Sequence, residues 1–537
     1  MNPGKTIFRL LCLLFFSVAL TAPRLIAQDV LTYHNDNART GQNLDERTLS
    51  PRNLTSSIFG KLFVIPVDGK VDAEPLYVRR LKMPHRGVHS VLFVVTEHDS
   101  VYAFDADTGN PFWRARLLKP GEAPSDPRNC SQVIPEIGVT STPVIDLKSG
   151  PDGTIYVVAM SRDAGGRYFQ RLHALDLSTG AEEFGGPVDI QASFPGKGMG
   201  SRGGKMIFDP KQYEERAALL LSKGVIYTTW ASHCDADPYS GWIMGYDEHN
   251  LSQVSVLDLT PNGGEGAVWQ SGNGPAADSK GNIYLLDGNG TFDTKLNGQG
   301  FPEKGDFGNT FLKLGVRGGK LSVVDYFAMH NIAQENATDL DLGSGGPLLL
   351  PGMADSSGRA RHLAVGAGKD RNIYLVNRDA MGKFNPASDR AIYQEVEGVV
   401  GDGEFASPAY FEGRLYYGGV GDHLKEFRLI QARLDSMPVS QTPGIFTYPG
   451  TTPSISADGS QNGIVWTAEN GERGVLRAFD ASNLSHELYN SNQQPSGRDH
   501  FGIGNKFITP MIADGKVYVG TAAGVAVFGL LPRVHVY

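Results

Sequence analysis

Val101-Tyr-Ala-Phe-Asp-Ala-Asp-Thr-Gly-Asn-Pro-Phe-Trp113 reads as a strand, a tight turn and the start of a second strand. Val101 to Phe104 are strand formers, Asp105 to Gly109 supply a turn whose glycine is free to take positive φ, and Phe112 and Trp113 can pack the next strand. Alone this is a hairpin. Degraded copies recur along the whole chain, as in LHALDLSTGAEEF at Leu172, WIMGYD at Trp242 and GVLRAFDAS at Gly474.

Around each copy lies the same unit: an apolar strand often led by Pro, a Gly or Asp turn, a β-branched strand, then further strands. Eight such units succeed one another, the first from AEPLYV at Ala73 and the last from TPMIADGKVYVG at Thr509. Short strands with Gly and Pro punctuation and almost no helical period predict an all-β array. A period of several tens of residues with four strands per unit predicts an eight-bladed β-propeller of four-stranded antiparallel blades. The last unit runs out of chain after three strands, so GKLFVIPV at Gly60 is expected to supply the fourth and close the ring without a bare edge. Seven blades with one split unit is the alternative.

Met1 to Ala27 carries Lys5 and Arg9, an apolar run from Leu10 to Leu20 and a small residue before Gln28, the pattern of a secretory signal. Residues 28–537 are then one propeller domain, secreted or periplasmic, and a retained N-terminal anchor is the alternative. The apolar run is short for a membrane span, so none is expected after cleavage. Formal charge is −9, and loss of Lys5, Arg9 and Arg24 makes the remainder more acidic still. No basic stripe remains to track phosphates, which excludes nucleic acid as a natural partner. Outside the leader only Cys130 and Cys234 occur; they form either one disulfide or two buried thiols.

In a meander of strands A to D, the B to C and D to A loops share one end of the disc. The long connections, residues 118–138, 190–215, 232–241, 287–309 and 328–343, all fall there, so function is expected on that face.

The spacing Ala103, Asp105, Gly109, Trp113 resembles the docking motif of the quinoprotein alcohol dehydrogenase-like propellers, whose active members bind pyrroloquinoline quinone (PQQ). Ala174, Asp176 and Gly180 repeat it with Phe184 in place of Trp, and Ala478 and Asp480 keep its first half. The resemblance covers essentially the whole chain after the leader. It implies PQQ over a Trp floor and a calcium or lanthanide ion beside it. AVWQSGNGPAADSKGNIYLLDGNGTFD is similar to the family's floor-and-ligand stretch, so Trp269 corresponds to the floor and Asn289 to the metal-binding Asn. In AMHNIAQENATDLDLGSGGPLLL, Asp339 and Asp341 fall where the family has its catalytic base and an additional ligand. Paired oxygens suit a hard cation, and one carboxylate can take a substrate proton. Lys369 falls where a cation polarises the quinone oxygens. Asp235 and Asp237 lie where the family's acidic metal ligand belongs, although the surrounding sequence departs from its pattern.

The implied function is a PQQ- and metal-dependent dehydrogenase of an alcohol or sugar, passing electrons to a redox acceptor. Two features stand against it: the family's vicinal cysteine pair is absent, and the same Gly, Asn, Asp and Trp residues serve turns and blade packing. The alternative is a non-catalytic propeller scaffold for ligand or protein binding that has lost the cofactor. A glycan-active reading rests on paired acids alone. The chain lacks C-x-x-C-H for covalent haem, and His233 beside Cys234 has too few partners for zinc.

Overall fold

The hairpin at Val101 closes in a computed structural model that describes residues 28–317 and 320–532. Ser100–Asp105 pairs antiparallel with Pro111–Arg116, with Ala103 opposite Trp113. One Asp105 oxygen accepts from the amides of Asp107 and Thr108 and from the Thr108 hydroxyl, which fixes the turn before Gly109. Trp113 then leaves its own blade: its Nε1 donates to the Leu177 carbonyl at 3.0 Å, and its ring covers Gly180 in the next blade's equivalent turn. Phe63 covers Gly109 in the same way, and the Phe184 ring lies 6.3 Å from His249 in the third blade's turn. An aromatic on one outermost strand thus seats on the following blade's turn. Gly180 has φ +72° and a Cβ there would fall 2.6 Å from Trp113. Gly180→Ala is therefore expected to lower stability by about 1 kcal/mol or more, read as a lower urea midpoint at unchanged slope.

Eight antiparallel sheets form a ring, their innermost strands starting at Leu76, Val144, Leu220, Ala276, Leu348, Ala409, Ser454 and Met511. The eighth is completed by Phe59–Pro66 along Gly524–Leu530, so the N-terminal strand closes the ring as expected and the seven-bladed alternative falls. Between blades the faces are dry and aromatic. Phe208 stacks on Tyr213 and meets Trp230 and Trp242 edge-on, joining the second and third blades. The expected signal, Met1–Ala27, lies outside the described residues. Among those residues no helix is long and apolar enough to cross a membrane.

The polar stretch ahead of Gly60 carries no strand or helix period, yet it is a strap across the ring. Val30 exchanges backbone bonds with Tyr77, and the Leu31 carbonyl accepts from Ile145. Arg39 donates to Leu219, and the carbonyls of Asn37, Ala38, Thr40 and Gly41 accept from Ala277, Leu349, Tyr410 and Ile455. Asn43 donates to Ile512. Every blade is touched. The connection expected as a plain loop at 328–343 also contains a short helix, Ile332–Ala337, anchored by buried Ile332 and Glu335.

Candidate functional site

Trp269 follows the third blade's outermost strand, Gln253–Asp258. The next two residues, Gln270 and Ser271, are both left-handed and buried, and the Ser271 hydroxyl donates to the Ser344 carbonyl at 2.7 Å. This tight turn leaves the Trp269 ring half-buried at the mouth of the channel. Asn289 stands just beyond the fourth blade's second strand, Ile283–Leu286, and Lys369 just beyond the fifth blade's Leu363–Ala367. Asp339 and Asp341 follow the short helix, with Asp339 at φ 59°. Four blade connections therefore converge.

Lys369 Nζ lies 2.8 Å from Asp339 Oδ1 and 2.6 Å from Asp341 Oδ2, and 5.7 Å from the centre of the Trp269 ring. Asn289 Nδ2 donates to Asp339 Oδ1 at 3.0 Å, while its backbone amide donates to Asp341 Oδ1 at 2.5 Å. The two carboxylates differ in setting: the Asp339 side chain is 78% exposed and that of Asp341 9%. Burial pushes the Asp341 carboxyl above its usual range despite the pull of Lys369. Burial lowers the Lys369 ammonium, but Asp341 and Asp339 together outweigh it and hold the ammonium above its ordinary value.

Asn289 Oδ1 is buried and has no hydrogen-bond partner among the described residues. An orphaned carboxamide oxygen beside two carboxylates is a hard-oxygen donor set, which suits calcium or a lanthanide. Asp235 and Asp237 stand apart, exposed on the rim; Asp235 Oδ1 accepts from the Ser232 hydroxyl at 2.7 Å. Glu265 joins rim to cluster. Burial, then Asp237, Asp235 and Asp341, raise its carboxyl. Among the described residues, no three His, Cys, Asp or Glu side chains already form a metal cage.

Trp269, Asn289, Asp339, Asp341 and Lys369 are thus brought together, and Asp235 and Asp237 are not joined to them by any hydrogen bond. Sequence reading missed Glu265, whose position between two glycines four residues before Trp269 was the available signal. It also missed an aromatic belt from distant loops: Phe405 meets Trp269 edge-on at 5.9 Å, Tyr448 meets Phe405 at 5.6 Å, and Phe507 meets Tyr448 at 6.3 Å. No local signal marks these rings.

Cys130 and Cys234 are bonded to each other, with Cα atoms 5.8 Å apart, tying two loops of the same face across 104 residues. Replacing both by Ser is expected to cost roughly 2–4 kcal/mol. A denaturation midpoint checks this, and unchanged stability would show that the bridge constrains little.

No protein-family model matches the chain, and no protein of curated function is similar to it in sequence. Solved structures are similar in fold. The quinohemoprotein alcohol dehydrogenase ADHIIG from Pseudomonas putida HK5 superposes with TM-score 0.62 at 14% identity, over 94% of this chain and 82% of the other. The quinohemoprotein alcohol dehydrogenase from Comamonas testosteroni superposes with TM-score 0.62 at 13% identity, over 94% and 81%. The chain shares its eight-bladed propeller fold with these quinohemoprotein alcohol dehydrogenases.

Proposed function

We propose that the protein is an exported dehydrogenase that uses PQQ and a calcium or lanthanide ion to oxidise an alcohol or sugar. The observation that carries this is the convergence of Asn289, Asp339, Asp341 and Lys369, from connections of the fourth and fifth blades, beside the Trp269 ring. The Cys130–Cys234 bridge supports an oxidising compartment.

In this reading Asn289 Oδ1 and Asp341 hold the cation, with Asp339 beside them and Asp235 or Asp237 completing the rim. Trp269 offers a flat face that would hold PQQ, which when bound would supply a two-electron acceptor that no amino-acid side chain provides. Asp339 is the exposed carboxylate and takes the proton of the substrate hydroxyl. Lys369 and Asn289 hold that carboxylate in place, and the Lys369 ammonium would also be available to counter negative charge beside the Trp269 ring.

One observation favours the scaffold reading: the Lys369 ammonium already bridges both carboxylates, so part of their negative charge is countered without a metal. Reconstitution decides between them. PQQ is added with calcium and, separately, with a lanthanide; retention on gel filtration and dye-linked oxidation of an alcohol and sugar panel are followed. Retention with turnover is expected. Retention without turnover would indicate a relic site, and no retention would leave the scaffold.

A further inference from the structure

Among the described residues three arginines are buried, and two of them are fully engaged. Arg39 gives its guanidinium to four acceptors, and Arg171 pairs with Glu122 and Asp189. Arg216 is only 7% exposed, yet among the described residues it has no hydrogen-bond acceptor and no carboxylate within ion-pair distance. It lies over the Phe507 ring at 5.1 Å, and Lys506 Nζ lies 5.4 Å from the same ring. A Cβ on Gly272, three residues past Trp269, would sit 3.9 Å from the Arg216 guanidinium carbon, so this pair of cations belongs to the same mouth as Trp269.

The nearby carboxylates are occupied or weak as counter-ions. Asp72 is held by Lys70 at 3.0 Å and by Asn505 at 2.8 Å, and burial raises the Glu214 carboxyl toward its neutral form. Burial, with Arg216 and Lys70 close by, pulls the Lys506 ammonium down to about 8. Lys506 Nζ donates to Gln132 Oε1 at 2.6 Å, and an anion seated between it and Arg216 would relieve that repulsion and give Arg216 the acceptor it lacks. Beside them is a small recess bounded by Phe405, Pro449, Thr452, Asn470 and Phe507.

We propose that Arg216 and Lys506 form a carboxylate subsite of the channel mouth, and that the substrate is a small polyhydroxylated acid of the sugar-acid class, its carboxylate between the two cations and its carbon skeleton against Phe507 and Phe405. Calling this ligand the substrate rests on the dehydrogenase reading; the subsite itself does not.

The test uses the cofactor-free, disulfide-intact protein, titrated calorimetrically at low ionic strength with galacturonate and, in parallel, with galactose. Galacturonate is expected to bind about tenfold or more tighter than galactose, and Arg216→Gln to lose about tenfold or more of that affinity. Equal binding of acid and neutral sugar, no binding of either, or an unaffected Arg216→Gln overturns the proposal. Should Arg216→Gln fail to melt cooperatively, Lys506→Gln, at a half-buried position, carries the test: a severalfold loss is expected and no loss overturns it. Competitive displacement of galacturonate by PQQ alone would assign the carboxylate to the cofactor and remove the substrate assignment. Because no cofactor is present in the main titration, failure of PQQ retention and failure of this subsite are separately visible.

Discussion

Arg39→Met is expected to destabilise the protein by roughly 3–5 kcal/mol, the largest stability loss of any single substitution considered. Arg39 is fully buried, and its guanidinium donates to Pro275 O at 2.9 Å, Thr32 Oγ1 and Tyr33 O at 2.8 Å each, and Leu219 O at 3.2 Å. Burial pulls it down to about 10, with Asp36, Tyr33 and Glu74 opposing, so it remains charged at neutral pH. Methionine matches the stem in volume but leaves three carbonyls and a hydroxyl without donors in a site that water does not reach. Leu219 belongs to the third blade, Pro275 to the fourth, and Thr32 and Tyr33 to the strap, so one side chain joins strap and ring. The expected result is a lower urea midpoint together with protease cleavage among residues 29–46. Arg39→Lys should recover only a part, because one ammonium cannot serve acceptors lying in three directions. A loss below about 1 kcal/mol would show that the strap is held by its backbone bonds alone.

That the ring was legible in the sequence and the strap was not has one physical cause. A blade is a local object: its strands pair with their chain neighbours, so alternation, a Gly or Asp turn and an aromatic such as Trp113 lie within a few tens of residues of one another. The closing strand could be inferred because an unpaired edge at the eighth blade would have been costly. The strap pairs with strands up to several hundred residues away, giving a few bonds to each blade, some from its backbone and some from side chains such as Arg39 and Asn43, and such a pattern has no period. Arg39 therefore looks like any polar residue near a terminus. The helix at Ile332–Ala337 is shorter than two turns, too short for a 3.6-residue repeat to appear. The site divides in the same way. Asn289, Asp339, Asp341, Lys369 and Trp269 were found by resemblance to a family whose motifs travel with the blades. Arg216, Phe405, Tyr448 and Phe507 reach the same mouth from separate connections, and their association exists only once the ring has closed.

Asp339→Asn is expected to lower turnover of the reconstituted enzyme by about a thousandfold while changing stability by less than about 1 kcal/mol. The side chain is 78% exposed, and the amide keeps an acceptor for Asn289 Nδ2, so the fold has little reason to notice the change. What is lost is the negative charge facing Lys369 and the basicity that takes a hydroxyl proton. Asp341→Asn should behave differently. Its carboxyl is 9% exposed, is gripped by Lys369 and by the Asn289 backbone amide, and stands beside the orphaned Asn289 Oδ1. Removing that charge weakens the oxygen set for a cation and leaves Lys369 tied only to the exposed Asp339, so cation affinity and stability should fall together, with turnover restored in part by excess metal. The pair of variants separates two roles that either alone would confuse. Turnover lost at saturating metal in Asp339→Asn, and metal requirement raised in Asp341→Asn, place the base on the exposed carboxylate and the ligand on the buried one. Normal rates in Asp339→Asn would remove it from proton transfer, and a metal-insensitive Asp341→Asn would mean that Lys369 is the resident cation of this cluster.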